Sequence, residues 1–289
     1  MRLLPMAGLV LASASMAQPP VFSFGVVTDI QYADQAAAGK RDYRASTAKL
    51  ADCAAALARE HTAFVVQLGD LVDGGAASLD RILPVWERVR GPRYHVLGNH
   101  DFVLPRAALL ERLGLQSPYY EFSVRDWRFV VLDGMHVSAS RGGAALLEEL
   151  RRAGAPNAQE WNGAVGPEQR RWLEGVLADA ARRRQRAVVF CHFPVLAAAC
   201  RPEHLLWDHD QVLSILETQP AVAAWMNGHD HRGGYAARQG IHHVTFPGLV
   251  EIDAASACRV VDVYTNRLVV RIAGKNGLAS GLPALILRD

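Results

Sequence analysis

Five times along this chain an apolar run of strand type ends in a short loop that carries Asp, Asn or His. The runs are "VFSFGVVTDIQ" (21–31), "AFVVQLGD" (63–70), "RYHVLGNHD" (93–101), "AVVFCHFP" (187–194) and "AVAAWMNGHDH" (221–231). Continuous β-branched and aromatic runs of this length read as strands buried on both faces. Helical periodicity lies between them. Ala48, Leu50, Ala54, Leu57 and Ala58 recur within 44–61, and Leu79 to Val89 reads as a second helix. Glu168 to Arg184 places Trp172, Leu173, Val176 and Leu177 on one face, after a Pro167 whose missing N–H costs nothing at a first turn. A shorter helical piece spans Ala144 to Arg152, and another Gln211 to Glu217. Two strands are expected at 119–124 and 127–132, and the tail adds "HHVTFPG", "CRVVDVY" and "RLVVRIA". Strands and helices alternate first and strands dominate later, which predicts an α/β (α+β) fold. Neither an internal repeat nor a linker divides the chain, so residues 21–289 are expected to form one domain.

In open α/β sheets, ligand sites form at the carboxyl ends of strands. The candidates there are Asp29, Gln31, Asp70, Asn99, His192, His229 and His231. Any one of them alone reads as a turn, cap or surface residue; all of them at strand ends would be an odd coincidence. In extended backbone, residues two apart share a face, so Asp29 with Gln31, and His229 with His231, can each aim at one pocket. Asp70 could bridge two cations through its two oxygens. A nitrogen and oxygen set without sulfur suits Mn²⁺, Fe or Zn²⁺ better than Mg²⁺. Two such ions a few ångströms apart clamp a phosphoryl group and activate a water.

The bulk numbers allow this chemistry and exclude others. Half of the 289 residues are apolar, ample for a core, and the formal net charge of +2 gives no general attraction for nucleic acid. Four cysteines, Cys53, Cys191, Cys200 and Cys258, are widely spaced, so a thiolate zinc site is not expected. Cys53 and Cys191 lie in apolar segments and read as small core residues. Arg2, the apolar stretch Leu3 to Leu11 and the small residues around Ser15-Met16-Ala17 resemble a secretory signal over residues 1–17. That reading predicts a secreted or periplasmic protein, the alternative being a cytoplasmic one. The apolar run is too short to span a bilayer, and no other segment is long enough.

The series "TDIQ", "GDLVDGG", "GNHD", "CHFP" and "GHDH" resembles the calcineurin-like metallophosphoesterases in order and spacing. That resemblance implies two packed β-sheets flanked by helices in four αββα layers, with a dinuclear metal centre at the strand ends. It implies Asp29, Gln31, Asp70 and His231 on one metal, and Asp70, Asn99, His192 and His229 on the other. His100 matches the family's histidine near the leaving group, and Asp73 the acid that pairs with it. Asn99 beside it can face the metal if the segment is extended. Most of the superfamily has Asp-x-His where this chain has Asp29-Ile30-Gln31. "DIQYAD" is similar instead to the manganese-dependent ADP-ribose/CDP-alcohol diphosphatases, as are "YRAS" (43–46), "NGAVGPEQRRWL" (162–173), "GHDHRGGY" (228–235) and "HHVTFPGLVE" (242–251). An amide oxygen is a harder donor than imidazole and would favour Mn²⁺. The likeness covers roughly residues 22–265. Asp101 departs from the Glu usual in animal members, and 134–160 and 197–210 match less well.

The expected function is hydrolysis of a nucleoside diphosphate derivative by a metal-bridging hydroxide. Alternatives are a phosphomonoesterase or phosphodiesterase on the same centre, or a non-catalytic metal-dependent binding protein. Arg44 is the first candidate for the second phosphate of the substrate and Arg41 the weaker one. Tyr32 and Trp207 are aromatic candidates for a base or ribose, although packing is the expected role of each. A small-molecule substrate is the expected partner; the oligomeric state is not readable.

Overall fold

The structure, a computed structural model, describes residues 18–275, 277–279 and 281–288. The expected leader, residues 1–17, lies outside the described residues. The strands are β1 (Phe22–Val27), β2 (Val65–Gln67), β3 (Arg93–His95), β4 (Tyr120–Val124), β5 (Trp127–Val131), β6 (Arg186–Phe190), β7 (Val222–Asn227), β8 (Gly234–Arg238), β9 (Ile241–Thr245), β10 (Arg259–Val263), β11 (Arg267–Ile272) and β12 (Leu285–Ile286). The helices are α1 (Ser46–Leu57), α2 (Ala76–Trp86), α3 (Arg106–Arg112), α4 (Ala144–Arg152), α5 (Gly166–Arg182), α6 (His209–Thr218) and α7 (Ala254–Ala257).

The strands form two sheets, in the orders β12-β11-β10-β1-β2-β3 and β4-β5-β6-β7-β9-β8. Alternation along the strands explains why the sheets stack. Phe22, Phe24 and Val26 of β1 point into the space between them, where they meet Trp127, Phe129 and Val131 of β5 and Val188 and Phe190 of β6. Phe24 and Phe129 meet edge-on with ring centroids 5.5 Å apart, a favoured aromatic arrangement. Burying each such side chain contributes about 1.5–3 kcal/mol. The outer faces are covered by helices. Leu50 and Leu57 of α1 and Leu79, Ile82 and Trp86 of α2 close the first sheet. Leu173 and Leu177 of α5 and Val212 and Leu216 of α6 close the second. Helix α1 lies close because Gly25 carries no side chain: a Cβ there would sit 2.9 Å from Leu57 Cδ2. The result is the expected αββα stack.

Cys53 is more than the small core residue its apolar segment indicates. It is disulfide-bonded to Cys258, joining α1 to the entrance of β10 across 205 residues of chain. Helices α3 and α7 and strands β8 and β12 are not predicted from the sequence, and β8 shows why apolar patterning can miss an element. The β8 sequence, GYAAR, lies at a sheet edge, is only half-buried and lacks β-branched residues. Among the described residues, no helix is long and apolar enough to cross a membrane.

The topology positions the site. Strands β1, β2 and β3 are parallel neighbours, and so are β5, β6, β7 and β9. Parallel strands bring their carboxyl ends to one edge, so the loops after β1, β2, β3, β6 and β7 emerge together.

Candidate metal centre

The loops at this edge are tied to each other before any side chain is considered. Asp29 N–H donates to Gly69 O (3.0 Å) and Gln31 N–H to Asp70 O (2.8 Å). Asp29, Gln31, Asp70 and His229 have φ of 49°, 44°, 57° and 68°. Non-glycine residues seldom adopt that left-handed conformation, and here half of the eight that do, among the described residues, are candidate ligands. The backbone is therefore not extended at Asp29 and Gln31. Both side chains still reach one pocket, but through a tightly turned loop rather than by strand alternation. Asn99–Asp101 likewise forms a 3₁₀ turn rather than an extended segment. The carboxylate of Asp101 holds these turns. It accepts from the N–H groups of Leu71 (2.7 Å), Gly98 (2.8 Å) and Asp70 (3.0 Å). Burial, reinforced by the charge of Asp70, pushes Asp101 up to about 7. Close approach matters as much as conformation: a Cβ at Gly98 would run into Asp70 Oδ1, and one at Gly228 into Thr28 Oγ1 and Asp29 Oδ2.

Hydrogen bonds on the far side of each ring orient the histidines. His192 Nδ1 donates to Leu68 O at 2.8 Å, so the lone pair of Nε2 faces inward. His229 Nε2 donates to Asn162 Oδ1 at 3.0 Å, which turns the Nδ1 lone pair inward. His231 Nδ1 donates to Glu251 Oε1 at 2.8 Å and leaves Nε2 facing Asp29. The inward atoms then crowd one another. His192 Nε2 lies 3.1 Å from His229 Nδ1 and 3.2 Å from Asp70 Oδ2, and His231 Nε2 lies 3.1 Å from Asp29 Oδ1. Gln31 Nε2 donates to Asp70 Oδ2 at 3.1 Å.

This donor set fits cations. Lone pairs at these separations repel unless a positive charge lies among them. Asp70, His192 and His229 each offer a ligand atom, all within 4.8 Å of one another. Gln31 Oε1 and Asn99 Oδ1 are buried and accept no hydrogen bond, an arrangement that costs free energy unless a cation completes it. Protons already sense the demand. Burial opposes charge on His192, but Asp70 overcomes it and pushes the imidazole up to about 9. Burial also opposes ionisation of Asp70, and the charges of His192 and His100 outweigh it, holding the carboxyl below the ordinary range.

These residues border a cavity of about 270 Å³, which Gln31, Asp70, Asn99, His229 and His231 share with His100, Arg41, Trp161 and His204. Asp29 and His192 lie behind this surface, fully buried. His100 Nδ1 lies 2.7 Å from Asp73 Oδ1. Burial works against a charged His100, but Asp70 and the Asp73 hydrogen bond push it up to about 9. Arg44 is not brought into the cavity: its side chain is 60% exposed and its Nε donates to Asp34 Oδ1 at 2.6 Å on the outer surface. Arg41 reaches the wall instead. Trp207 is packed with Leu147 and Ala164, and Tyr32 belongs to the core under α1 and α2. Sequence reasoning did not single out Trp161, His204, Asn162 or Glu251. Asn162 and Glu251 lie inside segments that carry the family likeness, and Trp161 adjoins one, so a signal was present for those three. His204 had none.

Comparisons with known proteins agree with this geometry. The family model for the calcineurin-like phosphoesterases matches residues 22–233. A manganese-dependent ADP-ribose/CDP-alcohol diphosphatase from Arabidopsis thaliana is 32% identical, the match covering 88% of this chain and 94% of the relative. A relative of the same name from Homo sapiens is 25% identical over 88% of this chain and 91% of its own length. The crystal structure of a dimetal phosphatase from Danio rerio superposes with a TM-score of 0.83 and 28% identity, covering 93% of this chain and all of that one. The purple acid phosphatase of yellow lupin shares the fold alone, with a TM-score of 0.58 at 14% identity, over 90% of this chain and 53% of its own. With the five ligand-bearing loops gathered at one sheet edge, the chain belongs to the calcineurin-like phosphoesterases and is a metal-dependent hydrolase.

Proposed function

We propose that this protein hydrolyses the diphosphate bond of nucleoside diphosphate derivatives of the ADP-ribose and CDP-alcohol type, using two divalent cations, manganese by preference. The observation that carries the reading is the convergence of all seven candidate ligands around one cavity that also holds a carboxylate-paired histidine and an arginine. The names of relatives that match most of this chain support the substrate class.

Asp29, Gln31, Asp70 and His231 would hold one ion, and Asp70, Asn99, His192 and His229 the other. Bound there, the ions would neutralise phosphoryl oxygens and acidify a water for in-line attack. The chain's own groups do the rest. Asn162, Leu68 O and Glu251 fix the rings. Asp73 holds His100 by Nδ1 and leaves Nε2 free to give a proton to the departing oxygen. Gln31 presents an amide oxygen where imidazole would be a softer donor, which favours manganese. Residues 1–17 are read as an export signal. The Cys53–Cys258 disulfide supports that reading, because such bonds persist in oxidising compartments.

The test is a substrate panel with Mn²⁺: ADP-ribose, CDP-choline, p-nitrophenyl phosphate and its bis ester. Faster turnover of the diphosphates is expected, and preference for the simple esters would reject the reading. His100→Ala should lower kcat by about 10²–10⁴-fold while metal content stays intact. N-terminal sequencing of exported protein checks the leader.

A further inference from the structure

The cavity wall carries two chemically different side chains, Arg41 and Trp161. Arg41 lies 3.7 Å from Asp73 Oδ2 and 3.6 Å from Glu251 Oε1. These are loose ion pairs, longer than hydrogen bonds, and they leave the guanidinium able to take another anion. Asp73 also holds His100, so the arginine and the leaving-group histidine share one carboxylate. Arg41 thus stands beside Glu251, the partner of His231, whereas Trp161 lines the same cavity beside His229 and His204. Trp161 is 37% exposed, one of three large hydrophobic side chains so exposed among the described residues. Its ring centroid lies 5.1 Å from that of His204 and 5.1 Å from that of His229. The next residue is pinned: Asn162 Nδ2 donates to Asn157 O and Glu203 O, and its Oδ1 accepts from His229. An indole kept on a fixed stretch of chain, packed against two histidines and 37% exposed at the cavity, offers surface on which a base can stack.

A nucleotide entering this cavity of about 270 Å³ meets the exposed surface of Trp161 on its wall. We propose that these two side chains orient the substrate: Trp161, with His204 beside it, stacks on the nucleotide base, and Arg41 receives the departing phosphate, so that attack falls on the phosphorus carrying the nucleoside. This rests on the diphosphatase reading above. The water oxygen forms the new bond to that phosphorus. The bond from it to the bridging oxygen breaks, and its electron pair leaves with the bridging oxygen, which becomes a terminal oxygen of the phosphorylated remainder. His100 gives a proton to that oxygen and regains one of the two water protons, and the other passes to solvent or stays on the monoester products according to pH. Arg41 meets the charge that develops on the departing group, and stacking holds whichever base is offered, since every base has a π-face.

Hydrolysis of ADP-ribose in ¹⁸O-water by the full enzyme tests the orientation directly. The label is expected in AMP, and label in ribose 5-phosphate would overturn the proposal. Trp161→Leu should raise KM for ADP-ribose by on the order of 10–100-fold with a smaller change in kcat, and Trp161→Phe should recover most of the loss. Arg41→Ala should act mainly on kcat, with partial recovery in Arg41→Lys. Binding is read separately from turnover: the non-hydrolysable α,β-methylene ADP should quench tryptophan fluorescence of the wild type and leave Trp161→Phe nearly unquenched. Equal quenching in both proteins would remove Trp161 from the base site. Turnover with label in the wrong product counts against this orientation alone. Absence of any diphosphate turnover by the wild type would remove the reading beneath it as well.

Discussion

Asp29, Asp70, His192 and His229 lie buried in loops that leave parallel strands, tied by backbone hydrogen bonds and close-packed glycines. Trp161, His204 and Arg41 come from connecting segments and remain partly exposed. The floor of the cavity is thus determined several times over, whereas the part of the rim formed by Trp161 and His204 depends on how two long connections meet. Those connections hold each other. Trp207 N–H donates to Gly163 O (2.8 Å), Asn157 Nδ2 to Leu206 O (2.7 Å), and Asp208 accepts from the N–H groups of Val165 and Gly166 at the start of α5. Arg201 clamps the second connection to Asp230, between His229 and His231. The contrast separates two tasks: a buried floor for charge and chemistry, and a partly exposed rim for choice of substrate.

The largest effect should come from the floor. Asp70→Asn removes the charge that both proposed ion sites would share and should cut turnover by on the order of 10³-fold. Elemental analysis of the same variant should show loss of both ions, and full metal content would contradict the shared-bridge arrangement. A rim residue that reaches the floor sharpens the contrast. Asn162→Ala frees the His229 ring and should weaken metal binding or activity by about 10–100-fold, measurable by titration with Mn²⁺. If Asn162→Ala altered KM alone, the rim would be independent of the metal ring after all.

Away from both regions, changes should register in stability and not in chemistry. Cys53→Ser should lower unfolding free energy by about 2–4 kcal/mol in denaturant titrations while kcat is kept. Loss of kcat there would mean that α1 positions the floor. The smallest effect concerns two histidines that do not line the cavity. His95 accepts from Trp86 Nε1 at 3.0 Å, and His243 has two buried ring nitrogens without partners. Burial, aided by Arg93 for His95 and by His242 and Arg238 for His243, pushes each down to about 4. The unfolded chain binds their protons near 6.5 and the folded chain only near 4. Stability should therefore fall as pH drops through that window, by a ceiling on the order of 3 kcal/mol per group. His243→Leu should shift stability at pH 7 by less than about 1 kcal/mol and flatten the acid slope, as thermal melts between pH 7 and 4 would record.

The identity and order of the candidate ligands could be read directly because each sits in a short motif after an apolar run, and both strand periodicity and loop chemistry are local properties. Helix α4 and the β4–β5 hairpin were legible for the same reason. Strand β8 was not, since its half-buried edge position asks for no apolar pattern. The conformation at Asp29 and Gln31 was also hidden, because their left-handed backbone is imposed by a neighbouring loop. Which arginine faces the cavity, why Trp161 stands open while Trp207 is packed, and which nitrogen of His229 turns inward all depend on contacts between distant segments. The bond from His229 to Asn162 spans 67 residues and that from His229 N–H to Asp29 spans 200. Spacing along the chain carries residue type and period. Side-chain direction, ring orientation and exposure arise only when those segments pack.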